Sequence, residues 1–436
     1  MKRRLVFGLV LVALVVNLAL GAKVYLSAAR PAAEDDALQA NLELFNEAIQ
    51  KIRTEYVDGK DLTYQQLVYT ALRGAVGKLD PHSEFLDAES FQELQDDTEG
   101  EFGGLGLVVA SKNGSVTVVS PMEDTPGFRA GILAGDRIVK VEGQPVAGRD
   151  LSDVVKKLRG TPGSSVTLTI LRPATGVTKN YTLTRAVIQL AMVKDINGKK
   201  DFPLLDGQIG YLQITQFGDK TGDELEAALT KLHKKQVRGL IIDLRWNPGG
   251  LLDQAKAVCE KFLPPGGLIV STEGRHVVEK YISEGRGDEL PGVPIVVLVN
   301  LGSASAAEIV TGCLQDRHRA VILGEKTFGK GSVQTIFPLD DGSALKLTVA
   351  KYYTPSHKVI HQHGIMPDIY VPVSDAEEAA LVIKRAPGGV EALSDAERAR
   401  VLAVQDQQLE RARETLTGLL LYQHMTATAP QRVAAK

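Results

Sequence analysis

Two serines, a lysine set between glycines and a glutamine are the residues of this 436-residue chain whose types and spacing could do covalent chemistry. Ser303 and Ser305 stand in NLGSASAAEI (300–309), where small neighbours leave open space around a hydroxyl. A serine acts as a nucleophile only beside a base. None of the 8 histidines has an evident triad context, whereas Lys330 lies in GEKTFGKGSVQT between Gly329 and Gly331, with Gln334 following. In an extended segment Lys330, Ser332 and Gln334 share one side, so Gln334 can orient the amine. Such a lysine must be neutral, its pKa brought from about 10.4 to about 7–8, which burial can do. DLRWNPGG (243–250) adds a Pro-Gly-Gly turn whose bare N–H groups can face a developing oxyanion. The residue after the nucleophile would give the second donor, Ala306 if the nucleophile is Ser305. The competing use of either serine is to cap the helix that follows, and residue types alone leave that choice open.

The elements that must position these groups are legible in the patterning. From Asp206 onward QIGYLQITQF, GLIIDLR, PIVVLVN and AVILGEK read as strands. Between them DELEAALTKLHKK, LLDQAKAVCEKFL and AAEIVTGCLQDR read as helices. Near-continuous apolar strands alternating with helices predict an α/β fold whose largely parallel sheet is covered on both faces. Its ligands would bind at the carboxyl ends of the strands, where NLGSASAAEI falls. Residues 99–185 instead show short strands and glycines with one helix, Leu151, Val154, Val155 and Leu158 at helical spacing behind Asp150 as N-cap. Residues 37–98 and 374–436 read as helical, with Ser394-Asp395 starting a helix that runs through AERARVLAVQDQQLERARETLTGLLL.

Composition excludes several classes. The net charge is −3 and no basic, aromatic-rich stripe occurs, so nucleic-acid binding has no support. Cys259 and Cys313 lie in apolar helical contexts and read as buried free thiols. His357, His361 and His363 cluster in PSHKVIHQHG, but without a carboxylate or cysteine pattern no metal is expected. MKRR followed by the apolar run Leu5–Ala22 reads as an export segment within 1–29, either cleaved or retained as a membrane anchor. The protein is therefore expected in the periplasm or cell envelope.

DPHS (80–83), FGGLGL (102–107), DLRWNPGG, GSASAAE (302–308), GEKTFGKGSVQ (324–334), KYYTPS (351–356) and GIMPDIYV (364–371) follow one another in an order that resembles the carboxyl-terminal processing, or tail-specific, proteases. The resemblance covers nearly the whole chain beyond the leader. It implies a crotonase-like, ClpP-type protease core over 186–373 and an inserted PDZ domain over 99–185. It also implies a serine endopeptidase with Ser305 as nucleophile, Lys330 as base and Gln334 as its partner, the oxyanion donors being the N–H groups of Gly250 and Ala306. The sequence departs from the family pattern at Ala307, where a third serine is common, and at His357 and His361. In the PDZ module Leu105, Gly106 and Leu107 would receive a substrate's C-terminal carboxylate, and Arg159 would couple the module to the active site. No cofactor is expected. Partners implied are proteins with exposed C-terminal tails, an adaptor or activator, and a second copy in a homodimer. A non-catalytic or latent PDZ scaffold is the alternative. An acyl-CoA enzyme of the crotonase type, which could share the sheet and the Gly-Gly turn, conflicts with export.

Overall fold

The computed structural model describes residues 37–428, apart from 113, 123, 174, 276–277, 286, 386–388 and 391–392. The export segment within 1–29 lies outside them, and among the described residues no helix is long and apolar enough to cross a membrane. Two compact units divide at Phe85. In the first, residues 37–55 and Tyr64–Val76 are helical. Thr63 and Gln66 form a reciprocal capping box at the start of the second helix, with N–H to oxygen distances of 3.1 and 2.8 Å. Asp80 then turns the chain in DPHS, accepting from the amides of His82 and Ser83.

The second unit holds the sheet that the apolar strands predicted. Its six strands run in the order Val193–Lys194, Ile209–Ile214, Gly239–Asp243, Ile295–Val299, Ala320–Gly324, Ile369–Tyr370, parallel except for the first pair. The central strands are almost entirely apolar because both faces are covered. Leu240 and Ile242 point into a core with Leu225, Val258, Phe262 and Val310 from helices Thr221–Lys234, Leu252–Glu260 and Ala306–Asp316 and the segments beside them. Ile241 points the other way, toward Leu409, Ala412 and Leu416 of helix Gln407–Thr428. A separate antiparallel group joins Ser332–Pro338, Ala344–Tyr353, Leu268–Gly274 and Val278–Ile282.

The β-rich insertion folds around its own core. Five strands from Leu107–Lys112 to Val177–Thr184 form an antiparallel sheet. Val166, Leu168 and Ile170 alternate into the interior against Val154 and Leu158 of helix Leu151–Leu158. Asp150 holds that helix's N-cap position, yet its side chain makes no cap hydrogen bond. Glu101–Gly104 pairs with Ala186–Gln189, so a two-stranded ribbon carries the chain into and out of the insertion.

The C-terminal region differs from expectation at one point. The helix starting at Asp395 is capped by Ser394 and Glu397 but stops at Ala403, and a new helix starts at Gln407. Asp406 accepts the Leu409 amide at 3.0 Å and also meets Arg245 of the core. That buried ion pair takes the chain out of helical geometry where helical periodicity alone would continue it.

Candidate active site

The loop after strand Ile295–Val299 separates the two serines by their partners. Ser303 is fully buried; its Oγ donates to the Leu244 carbonyl at 2.8 Å and accepts from the Asn300 amide at 3.0 Å. It is a latch between two strand ends. Ser305 sits at the N-cap of helix Ala306–Asp316 with φ 55° and ψ −115°, a conformation costly for any residue with a Cβ. Its Oγ faces the Glu308 amide in a capping-box arrangement without a well-formed cap hydrogen bond, and Ser305 is only 7% exposed.

DLRWNPGG packs directly on Ser305. Asn247 pins the turn: its Nδ2 donates to the Ile214 carbonyl and its Oδ1 accepts the Gly249 amide, both at 2.8 Å, while its carbonyl accepts from Ala304. A Cβ on Gly249 would lie 2.7 Å from Ser305 Cβ and 2.9 Å from the Ala306 nitrogen, so only glycine, here at φ 100°, permits this approach. Gly250 bridges in parallel to Phe217, which bonds Gly249 and Leu251 instead and leaves the Gly250 N–H directed away. Neither the Gly250 nor the Ala306 amide has a hydrogen-bond partner among the described residues.

Lys330 is brought to this loop by a residue that the motif analysis missed. Glu308, fully buried in the first turn of the Ser305 helix, accepts hydrogen bonds at Oε2 from the Ser305 amide at 3.0 Å and the Lys330 amide at 2.8 Å. Its Oε1 takes the Gly329 amide at 2.7 Å and the Thr327 hydroxyl at 2.5 Å. Burial pushes the Glu308 carboxyl above its ordinary range, opposed by these hydrogen bonds. The signal for it was the spacing Ser305-x-x-Glu308, the capping-box pattern. Replacing Glu308 by alanine strands four donors. We expect about 10²-fold loss of kcat, as for misplaced reacting groups, with a lower Tm; kinetics and thermal unfolding check it, and an unimpaired variant would contradict this role.

Burial and the like charge of Lys346 lower the Lys330 pKa, with Glu308 opposing. A Cβ on Gly331 would fall 2.1 Å from the His361 nitrogen, so a bare residue lets the segment dock. Gln334 Nε2 donates to Ser332 Oγ at 2.9 Å and Thr348 Oγ1 at 3.2 Å, next to a register shift after Val333. The Ser305, Lys330 and Gln334 side chains are not hydrogen-bonded to one another among the described residues. The clustered histidines go separate ways: His357 Nε2 meets Glu273 at 2.7 Å, and His363 Nδ1 bonds the His361 carbonyl at 2.8 Å.

A groove of about 210 Å³ in the β-rich insertion is lined by Leu105, Gly106 and Leu107 on one side and by Val155, Leu158 and Arg159 on the other. Leu105 is 2% exposed and belongs to the module's core, so what it can offer a ligand is its amide. The Leu105 and Gly106 amides have no partner among the described residues. At Gly106, φ is 68° and a Cβ would strike Thr125 at 2.3 Å. Arg159 donates to Asp97 Oδ1 at 3.0 Å and stacks over Phe102 at 4.4 Å. The Asp97 carbonyl in turn accepts from Gln216 Nε2 at 3.1 Å, one residue from the Phe217 that bridges Gly250.

Residues 208–371 match the sequence model of peptidase family S41, and residues 117–172 that of a PDZ domain. A carboxy-terminal-processing protease of Bartonella bacilliformis is 44% identical over 335 residues, covering 76% of this chain and 75% of that protein. A CtpA-like serine protease of Staphylococcus epidermidis is 38% identical over 335 residues, 76% of this chain and 66% of the relative. A crystal structure from Bacteroides fragilis bearing an S41 protease name superposes with a TM-score of 0.51 at 20% identity, over 85% of this chain and 97% of that one, a likeness of fold alone.

Proposed function

This chain belongs to peptidase family S41, among the carboxy-terminal-processing proteases, and from that premise we propose that it is an exported serine endopeptidase. It takes protein C-termini into its PDZ groove and cuts through a Ser305–Lys330 dyad. The observation that carries the reading is the Glu308 carboxylate holding the amides of Ser305 and Lys330 at one oxygen, beside two unengaged N–H groups.

Neutral Lys330 takes the Ser305 proton as Oγ attacks the scissile carbonyl. The Gly250 and Ala306 amides receive the oxyanion. Collapse expels the amine, which leaves with the proton held on Lys330, and Ser305 carries the acyl group. Lys330 then draws a proton from water, whose attack frees the acid and restores the hydroxyl. Gln334 orients the lysine once its carboxamide turns from Ser332 and Thr348. Engagement of Gln334 with Ser332 and Thr348 favours a resting state that a bound tail or an adaptor activates. Arg159, through Asp97 and Gln216, offers a path from the groove to the Gly250 turn. The basic and apolar leader supports action in the periplasm or envelope, anchored or released, and the helical C-terminal region suits a homodimer.

The test is cleavage of an unfolded substrate ending in small apolar residues, with its terminal carboxylate free or amidated. Charge-assisted hydrogen bonds of about 1.5–3 kcal/mol correspond to about a 10–100-fold preference in kcat/KM for the free terminus. Gly106→Ala, strained and clashing, should erase that preference. Equal cleavage of both substrates by the parent would sink tail recognition and leave the peptidase reading standing.

A further inference from the structure

We propose that Glu378, on helix Asp375–Arg385 of the C-terminal region, is a positioning residue for hydrolysis at Ser305, holding the nucleophile loop and the Gly249–Gly250 turn in register through Asn300. The inference rests on the reading of Ser305 as the nucleophile. Asn300, which is 2% exposed, follows strand Ile295–Val299. Its Oδ1 accepts the Trp246 amide at 2.9 Å and the Gly302 amide at 3.1 Å, one from each of the two loops. Its Nδ2 donates to Glu378 Oε1 at 2.9 Å.

The two ends of a carboxamide differ, one accepting and one donating. Turned about, the Asn300 amide would aim its NH₂ at two N–H donors. A carboxylate only accepts, so Glu378 selects the orientation in which Oδ1 faces Trp246 and Gly302. Trp246 directly precedes Asn247, which pins the glycine turn, and Gly302 precedes Ser303 and Ser305. Displacement of Asn300 therefore moves oxyanion donors and nucleophile relative to each other, and an error of about 1 Å in such a site costs on the order of 10²-fold.

The helix bearing Glu378 is itself fastened. Arg385 at its far end pairs with Asp406, which holds the buried Arg245 at 2.9 Å. Arg245 is bound through Nε and Nη2 to Asp243 at the end of strand Gly239–Asp243, and Asp243 also accepts from the Tyr211 hydroxyl at 2.7 Å. The C-terminal helices thus reach both catalytic loops, one through a neutral amide and the other through an ion cluster. On this account they are part of the catalytic frame.

The experiment compares Glu378→Ala and Glu378→Gln with the parent and Ser305→Ala in steady-state peptide cleavage. It is paired with inhibition by a peptide boronate, which forms a tetrahedral adduct on a serine. Glutamine keeps an acceptor and should retain activity within about threefold, whereas alanine should lower kcat about 10-fold or more with KM little changed. Boronate affinity should fall in parallel with kcat. Loss confined to KM, equal damage by glutamine and alanine, or an alanine loss matching only its unfolded fraction by circular dichroism would each overturn the proposal. Cleavage retained by Ser305→Ala would instead bring down the assignment of the site, and this role with it.

Discussion

Alanine in place of Ser305 is expected to lower kcat for peptide hydrolysis by about 10⁴-fold or more and to leave stability nearly unchanged. The Ser305 hydroxyl faces the Glu308 amide in a capping box but makes no well-formed cap hydrogen bond, so removing it strands no strongly held group. The same change at Ser303 should behave oppositely. Its hydroxyl joins the Asn300 amide to the Leu244 carbonyl in a fully buried position. Leaving buried polar groups unpaired costs about 1–3 kcal/mol, so Ser303→Ala should unfold at lower denaturant and lose far less activity than Ser305→Ala. Cleavage assays and denaturant titrations on both variants decide it. Catalysis lost at Ser303 and kept at Ser305 would reverse the assignment of latch and nucleophile.

Methionine in place of Lys330 should lower kcat by about 10²–10⁴-fold, the range for a general acid–base group. The pH dependence carries the sharper signature. In the proposed mechanism the active form of Lys330 is neutral, so the parent's rate should climb with pH through the lysine's pKa. That limb lies below the ordinary value of 10.5 because burial and Lys346 both lower it. Removing the neighbouring charge with Lys346→Met should carry the limb to higher pH. Stability follows from the same shift: the unfolded chain holds its proton where folded Lys330 has released it, so stability rises with pH between the lowered value and 10.5. At neutral pH the Lys330→Met variant should be at least as stable as the parent although nearly inactive. A rate profile unmoved by either substitution would rule out Lys330 as the base.

Near-continuous apolar strands, helix periodicity and glycine placement are local properties, and the fold class and the catalytic candidates were legible from them. GLIID reads as a strand buried on both sides because every one of its side chains is apolar or pairs inside, whichever helix covers it. Gly249 and Gly331 stand where backbone meets backbone, and the unusual bareness of those stretches showed in the residue types. What spacing could not report is which buried polar groups satisfy one another across the chain. Ser303 and Ser305 look equivalent until Ser303 finds Leu244, 59 residues away. Periodicity carries the last helix through residue 406 until Asp406 meets Arg245, 161 residues earlier, and the helix breaks to make the pair. The sequence alone determined that a serine, a lysine and a bare glycine turn would stand at the carboxyl ends of a buried sheet. Only the tertiary structure showed that Ser303 is latched to Leu244, that Glu308 joins the Ser305 and Lys330 amides, and that Glu378 reaches Asn300 from the C-terminal helices. Buried donors and acceptors must be paired, and their partners are set by packing rather than by neighbourhood in the chain.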